Sequence, residues 1–211
     1  MKYPRLLFVA VTAMLALTGC KDDAKQEIAD TFESFMSAIQ RHDSAAALPL
    51  IDDKYFEDLG YLIQAAKSAP REKVFRMRPS ERRMIILIRN RIAKEELATL
   101  DGRGLMKYLI EERDPGDDDI ELWGDIKNIK LRPPRATAEM EIEDLGLRLQ
   151  LEFIEVDHVW KVNPAAFDEK FDKRVERVSV KSGKREDTLL QERETRLSGK
   201  PVNSGIWDPP K

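Results

Sequence analysis

The chain has 211 residues, a formal net charge of −3 and 36% charged residues. This length allows one domain of ordinary size with its own core, and the mildly acidic balance argues against nucleic acid as the main partner. Cys20 is the single cysteine, which excludes a disulfide framework. The sequence after it holds no apolar run of about twenty residues, which excludes a transmembrane helix there.

The first twenty residues, MKYPRLLFVAVTAMLALTGC, have the pattern of an export signal. Lys2 and Arg5 form a charged start, and the apolar stretch from Leu6 to Leu17 is too short to span a bilayer. The stretch ends in Leu17-Thr18-Gly19-Cys20, which resembles the lipobox of bacterial lipoproteins. The resemblance implies cleavage before Cys20 and acylation of its thiol. We predict a signal peptide over residues 1–19 and lipidation at Cys20; an ordinary secretory signal with a stray cysteine is the alternative.

Acylation implies a location in the cell envelope. Each buried methylene contributes about 0.8 kcal/mol to membrane attachment, so two or three long chains, palmitate among them, hold a protein stably. Lys21 follows the cysteine, where an Asp would favour retention in the inner membrane by the enterobacterial sorting rule. The resemblance therefore favours the periplasmic side of the outer membrane over the inner membrane. Loss of Lys2 and Arg5 with the signal leaves 192 residues and a net charge of −5.

The first part of the mature chain predicts helices. Apolar residues recur at helical spacing from about Asp22 to Arg41, so residues 20–27 form only a short tether. Asp43 or Ser44 can cap the next helix, which Pro49 makes short or irregular. A further helix is predicted over residues 53–68.

The middle of the chain is also predicted to be mainly helical. The stretch ERRMIILIRNRIAK favours a helix, but its five-residue apolar run leaves a buried strand open. Two short helices follow, broken at Asp101-Gly102, because glycine suits the left-handed position that ends a helix.

From Trp123 onward apolar residues alternate, which predicts strands with one polar face. The turns are predicted at Pro133-Pro134, Asp144-Leu145-Gly146 and Asp157-His158, so the strands form one antiparallel meander. Asn163-Pro164 then begins a helix, with Asn suited to the N-cap and Pro to the first turn. The apolar face of that helix is predicted to comprise Phe167, Phe171, Val175 and Val178.

These elements predict an α+β fold. N-terminal helices pack on a curved antiparallel meander of about four strands, and a C-terminal helix and a charged tail follow. The tail, residues 179–211, is predicted to be partly helical near Asp187 to Leu197 and loose at GIWDPPK.

Two segments resemble the nuclear transport factor 2-like, or cystatin-like, superfamily. Residues 28–52 look like its opening helix pair, with the Arg41-His42-Asp43 junction. Residues 136–163 look like its last two strands, ending in Val159-Trp160-Lys161-Val162. The resemblance implies a domain over residues 28–178, with a helical insertion at about 54–113 where members have a short helix and a strand or hairpin. In this superfamily the cone between sheet and helices holds a ligand, serves catalysis or is a packed core, so the fold does not select a function.

The segment from Arg71 to Lys94 is strongly basic, with nine Lys or Arg against Glu72 and Glu81. It is either a helix face paired with acidic partners in the same domain or a patch for anionic lipid or an acidic envelope partner. In the second case each basic residue contributes about 1 kcal/mol near an anionic membrane. The candidate contact residues are Arg82, Arg83, Arg89 and Arg91.

No catalytic residue, metal site or cofactor is predicted. His42 and His158 lie at predicted turns, and Asp125 is the nearest candidate for an acid in the cone. The acidic run from Asp114 to Asp119 does not match EF-hand spacing and is interpreted as a solvated turn rather than a cation site. No P-loop, zinc-ligand spacing, nucleophile elbow or dinucleotide fingerprint is present.

We therefore expect a membrane-anchored, periplasm-facing accessory lipoprotein that binds a protein partner or small ligand without catalysis. An envelope protein partner is expected, and a homodimer is left open. The alternatives are a ketosteroid-isomerase-like enzyme using the cone, or a structural protein contacting membrane or cell wall through residues 71–94. Trp123 and Trp160 are expected in the core, whereas Trp207 either packs back on the domain or anchors a partner.

Overall fold

A computed structural model describes residues 5–112, 125–142 and 147–210; for residues 5–21, 142 and 147 it describes the backbone alone. Within these ranges the chain is α+β, with nine α-helices and a four-stranded antiparallel sheet, which confirms the predicted fold class. The helices are α1 (Arg5–Gln40), α2 (Ser44–Ala47), α3 (Asp53–Ser68), α4 (Arg71–Val74), α5 (Pro79–Arg91), α6 (Lys94–Thr99), α7 (Gly102–Glu111), α8 (Ala165–Ser182) and α9 (Glu186–Ser198). The strands are β1 (Ile126–Arg132), β2 (Arg135–Ile142), β3 (Leu147–Val156) and β4 (Val159–Asn163).

Helices α1 and α2 form as predicted at their common junction. The Asp43 carboxylate accepts a hydrogen bond from the Ala46 amide at 3.0 Å, and so caps α2. A 3-10 turn, Leu48–Leu50, replaces a longer helix at Pro49. The chain then reaches the sheet, where the Asp52 amide donates to the Val162 carbonyl at 2.9 Å. The opening helices are therefore tied directly to the edge of β4.

The apolar run at Met84 to Ile88 lies in helix α5 rather than in a strand. Met84, Ile85, Ile86 and Ile88 are all buried, because α3, α8 and α9 surround this helix. A helix that is covered on several sides carries apolar residues on several sides, so it lacks the clear polar face of an amphipathic helix. The sequence periodicity therefore could not separate helix from strand here.

The break at Asp101-Gly102 is present, but Gly102 does not end a helix in the left-handed conformation as expected. It is the first residue of α7, and the Asp101 carboxylate caps that helix by accepting from the Gly104 amide at 2.7 Å. A Cβ at Gly102 would lie 1.8 Å from the Phe56 carbonyl oxygen. Glycine is therefore required because α7 approaches the backbone of α3 closely.

The sheet has the order β1-β2-β3-β4, the predicted meander. Met140 is opposite Leu149, and Phe153 is opposite Val162. Helices α1 and α8 contact the sheet, with the Phe32 and Phe153 rings edge to face at 6.4 Å between centroids. The buried sheet residues are Ala136, Ala138, Met140, Leu149, Leu151, Phe153, Trp160 and Val162. The turn at Asp144 to Gly146 and Trp123 lie outside the described residues.

Strand β1 carries an irregularity between Lys127 and Lys130. Asn128 has φ of 54°, and its side-chain amide donates to the Glu139 carboxylate at 2.9 Å. Asn is one of the few residues that adopt positive φ readily. Such a bulge bends its strand and increases the local twist of the sheet.

The C-terminal helices differ from the prediction in detail. Pro164 occupies the N-cap position of α8, while the Asn163 side chain accepts from the Ala165 amide at 3.0 Å. Phe171 and Val175 are buried, but Val178 is 42% exposed because the last turns of α8 are mostly uncovered. Gly183, with φ of 70°, then turns the chain into α9.

Trp207 packs back on the domain. It lies in a 3-10 turn, Ser204–Trp207, is 2% exposed, and meets the Phe75 ring edge to face at 5.2 Å. The Arg71 guanidinium donates to the Ser204 carbonyl at 2.7 Å and to the Asp208 carboxylate at 2.8 Å. These contacts hold the end of the chain against α4.

We predict that Gly102→Ala lowers the free energy of unfolding by about 3 kcal/mol or more, because the new Cβ must displace the backbone of α3. Gly60→Ala is the matched control: this α3 glycine has nothing within 4 Å of its added Cβ. That change should raise stability by about 0.5–1 kcal/mol through helix propensity. Chemical denaturation of the purified protein measures both. If both substitutions changed the free energy of unfolding equally, the close approach of α7 to the α3 backbone would be contradicted.

Candidate functional site

A pocket of about 170 Å³ lies between α3, α5 and α8. Its position follows from the fold, since α5 packs against both other helices. The lining residues are Tyr55, Asp58, Leu59, Tyr61 and Leu62 of α3, Arg78, Ser80, Glu81 and Met84 at α5, and Ala165 and Asp168 of α8.

Two polar groups in this pocket have no partner in the described part of the chain. The half-buried Asp168 carboxyl makes no hydrogen bond or ion pair there. Ser80 is only 3% exposed, and its hydroxyl has no hydrogen-bond partner among the described residues. Buried polar groups are normally paired, so the Ser80 hydroxyl requires an explanation, whereas the half-buried Asp168 carboxyl can contact solvent. A ligand that supplies the missing partners is one such explanation.

The electrostatics of the pocket follow from burial. Burial raises the pKa of Asp168 to about 6, although the positive charges of Arg83 and Arg78 oppose that rise. Burial also raises the pKa of Tyr55 far above its usual value, and the negative charge of Asp168 adds to that shift. Tyr55 is therefore a neutral phenol at physiological pH, whereas Asp168 titrates close to it. Groups with perturbed pKa values cluster at functional sites.

Contacts between α5 and α8 hold the first turn of α5 beside the pocket. The Asp172 carboxylate accepts from the Ser80 amide at 2.6 Å and lies 3.8 Å from the Arg78 guanidinium. Glu81 accepts from the Arg78 amide at 2.8 Å and also lies 3.6 Å from the Arg78 guanidinium. Arg78 therefore has two carboxylates beside it already. The first turn of α5 is satisfied by protein groups rather than left to bind an anion.

The four arginines predicted as surface contacts point into the fold instead. Arg82 is 8% exposed and forms an ion pair with Glu186. Arg91 binds Glu194 at 2.7 and 2.8 Å, and the two side chains are 11% and 7% exposed. Arg82 and Arg91 therefore have acidic partners on α9, in the segment that was predicted to be a charged tail.

The other two arginines contact backbone and an aromatic ring. Arg89 donates to the carbonyls that end α3, those of Ala65, Ala66 and Ala69, and to the Ile206 carbonyl. The Arg83 guanidinium lies 4.5 Å from the Phe171 ring centroid. A lipid-facing patch at these residues stays an untested prediction, but the observed contacts of their guanidinium groups, with α3, α8, α9 and the C-terminal turn, favour the alternative of pairing within the chain.

The described candidates from the sequence lie in turns or just before a strand. His42 and His158 have positive φ in turns, and the His158 side chain is 98% exposed. Asp125 is exposed and precedes β1, so it does not lie on the strand as expected. The run from Asp114 to Asp119 lies outside the described residues. Among the residues that are described, no group of three His, Cys, Asp or Glu could hold a metal ion.

The buried face of the sheet is occupied by apolar side chains. Met140, Leu149, Leu151 and Phe153 are at most 2% exposed and belong to the main apolar core. These are the positions that a polar cluster in a cone would need. The unpaired polar groups lie instead between the helices of the predicted insertion and α8.

Comparisons with known proteins give no relative: no family model, curated protein or solved structure matches this chain. The resemblance to the nuclear transport factor 2-like superfamily therefore stays a prediction. Neither Asp168 nor Ser80 was predicted from the sequence. The available signal was that Asp168 and Asp172 are four residues apart on α8, beside its apolar face, and so share one side of the helix.

The pKa of Asp168 predicts a pH-dependent stability. Its folded pKa is above its unfolded value, so the folded state binds more protons between about pH 4 and 6 and loses stability as pH rises through that window. The charged or titratable groups facing it are Tyr55 and Asp58 of α3, Arg78, Glu81 and Arg83 at α5, and Asp172 of α8.

We predict that Asp168→Asn raises the free energy of unfolding by up to about 3 kcal/mol at pH 7.5. The difference should shrink toward pH 4, where the native carboxyl is neutral as well. Urea unfolding at both pH values measures this. Glu169→Gln is the control, because Glu169 is exposed and pairs with Lys173 on the same helix; it should change stability by less than about 1 kcal/mol. If Asp168→Asn lowered the free energy of unfolding at pH 7.5, the raised pKa of Asp168 would be contradicted.

Proposed function

We propose that this chain is a bacterial accessory lipoprotein, anchored in the envelope by acyl chains on Cys20, whose domain binds a partner or small ligand without catalysis. The observation that carries this proposal is the position of the lipobox cysteine relative to the fold. Ile28 is fully buried, and only seven residues separate it from Cys20. The proposed anchor is therefore attached almost directly to the domain.

The spacing sets how far the domain can lie from its membrane. Cys20 belongs to the backbone of α1, whose described side chains before Ile28 are mostly exposed. Eight helical steps span about 12 Å, and the same chain fully extended spans at most about 28 Å. No helix among the described residues has the length and apolarity to cross a bilayer. The acyl chains would hold the domain close to the headgroups.

The periplasmic face of the outer membrane is the proposed location, on the evidence of Lys21 after the cysteine. An envelope protein is the proposed partner class, and a homodimer is one form of that assembly. The nuclear transport factor 2-like scaffold is part of the same proposal. Its local support is the Val159-Trp160-Lys161-Val162 strand, which pairs with β3 at the end of the meander.

Two other functions have less support. A ketosteroid-isomerase-like enzyme needs polar groups in the cone, where Met140, Leu149, Leu151 and Phe153 are packed in the core. A structural protein that contacts membrane through residues 71–94 needs exposed guanidinium groups, whereas Arg82, Arg89 and Arg91 bind carboxylates and carbonyls of their own chain. A binding role is favoured because the unpaired groups line a pocket between helices.

We predict that Cys20→Ser abolishes acylation and signal removal. In a Gram-negative host the native protein should incorporate labelled palmitate, partition into detergent phase and migrate as the processed form. The variant should stay unprocessed and unlabelled, while its domain keeps the same thermal unfolding, because residue 20 lies before the buried core.

A Lys21→Asp variant is the matched control for location. It keeps the cysteine, so it should label with palmitate equally well but shift toward the inner membrane in an enterobacterial host. Palmitate labelling of Cys20→Ser at the native level would contradict the anchor. If the native protein is labelled but Lys21→Asp stays in the same membrane, only the proposed outer-membrane sorting by Lys21 is contradicted.

A further inference from the structure

We propose that the pocket between α3, α5 and α8 is a binding site for a small primary alkylammonium group. The occupant is either a free amine or the end of a lysine side chain. This inference deepens the binding role in the proposed function and rests on it, but it does not depend on acylation of Cys20. The charge, the hydrogen-bonding groups and the size of the pocket all favour such an occupant.

The charge of the lining favours a cation. Three carboxyl groups line the pocket, those of Asp58, Glu81 and Asp168, against the single guanidinium of Arg78. Arg78 lies beside Glu81 and Asp172 already, and Arg83 is stacked on the Phe171 ring. The Asp168 carboxyl therefore has positive charges nearby but no ion-pair contact among the described residues. An ammonium group would supply that contact, whereas an anion would be repelled.

The polar groups also match an ammonium group. An ammonium has three N–H donors and no acceptor. Asp168 is an acceptor when ionised, and the buried Ser80 hydroxyl has lone pairs that nothing in the described chain uses. Tyr55, held neutral by burial, adds a third oxygen to the lining. The pocket therefore offers oxygen acceptors to a group that has only donors.

The size limits the occupant to a short chain. A cavity of about 150 Å³ accepts a molecule as large as benzene, so the pocket of about 170 Å³ takes a similar number of atoms. Typical drug-sized ligand sites are larger, at about 300–1,000 Å³. Leu59, Leu62 and Met84 provide apolar surface for methylene groups. An alkylammonium of about four carbons meets both requirements.

The test uses the full-length protein as purified in detergent, acylated or not, with ¹³C-labelled methionine methyl groups. Met84 lines the pocket and Met140 lies in the sheet core, so the two methyl resonances give a signal and an internal control. n-Butylammonium should shift the Met84 methyl resonance saturably and leave Met140 unchanged. 1-Butanol and butyrate, which have the same chain without the cation, should bind at least about tenfold more weakly.

Three variants test whether Asp168 and Ser80 bind n-butylammonium. Asp168→Asn should weaken n-butylammonium binding by about tenfold or more, and Ser80→Ala by about fivefold. Glu169→Gln, an exposed carboxyl on the same helix, should bind as the native protein does. Because Asp168→Asn is expected to be more stable, unfolding cannot account for its loss of binding.

Nα-Acetyl-lysine methylamide separates the two sources of the ammonium group. Tighter binding than n-butylammonium supports a lysine of a protein partner, and weaker binding supports a free amine. The proposal is overturned if n-butylammonium leaves Met84 unshifted, if 1-butanol binds equally well, or if Asp168→Asn binds like the native protein. Palmitate labelling is read separately, so failure here leaves the anchoring role standing.

Discussion

Helix α5 carries three guanidinium groups into the interior, and each joins α5 to a different part of the chain. Arg82 binds Glu186 at the start of α9, Arg91 binds Glu194 further along α9, and Arg89 binds the carbonyls that end α3. Burial lowers the pKa of Arg89, which nevertheless stays charged, as arginine does in proteins. A buried charge is tolerated only when it is paired. The helices around α5 are therefore held in the positions that supply those partners.

The pocket is a consequence of this arrangement. Because α5 is fixed between α3 and α8, Ser80 of α5 and Asp168 of α8 line the same pocket. The Asp172 carboxylate holds the first turn of α5 there by accepting from the Ser80 amide. Arg82, Arg89 and Arg91 bind other groups and do not contact Asp168. The Asp168 carboxyl is therefore half-buried with no ion pair to a described residue. An ionised carboxyl in that position destabilises the fold. A group that reduces stability while lining a cavity is a better functional candidate than the exposed histidines.

Prediction from sequence succeeded where one face of an element is buried. The meander and helices α1 and α3 follow from alternating or helical spacing, and Asp43 caps α2 as its type suggests. It failed where the deciding interaction joins distant residues. The charge run at Arg82 to Arg91 does not reveal that Glu186 and Glu194, about a hundred residues later, accept those charges. Gly102 was misassigned for the same reason, because only the approach of Phe56 explains it.

The central claim is that the basic segment is an internal scaffold, and the Arg91–Glu194 pair tests it most directly. The measurement is a double-mutant cycle of Arg91→Ala and Glu194→Ala by urea unfolding. Glu192→Ala is the control, because Glu192 lies on the same helix and its ion pair with Lys184 is exposed. Glu194→Ala should lower the free energy of unfolding by about 3–5 kcal/mol, and Glu192→Ala by no more than about 1 kcal/mol. A loss below about 1 kcal/mol for Glu194→Ala, with no coupling to Arg91, would contradict an internal role for α5.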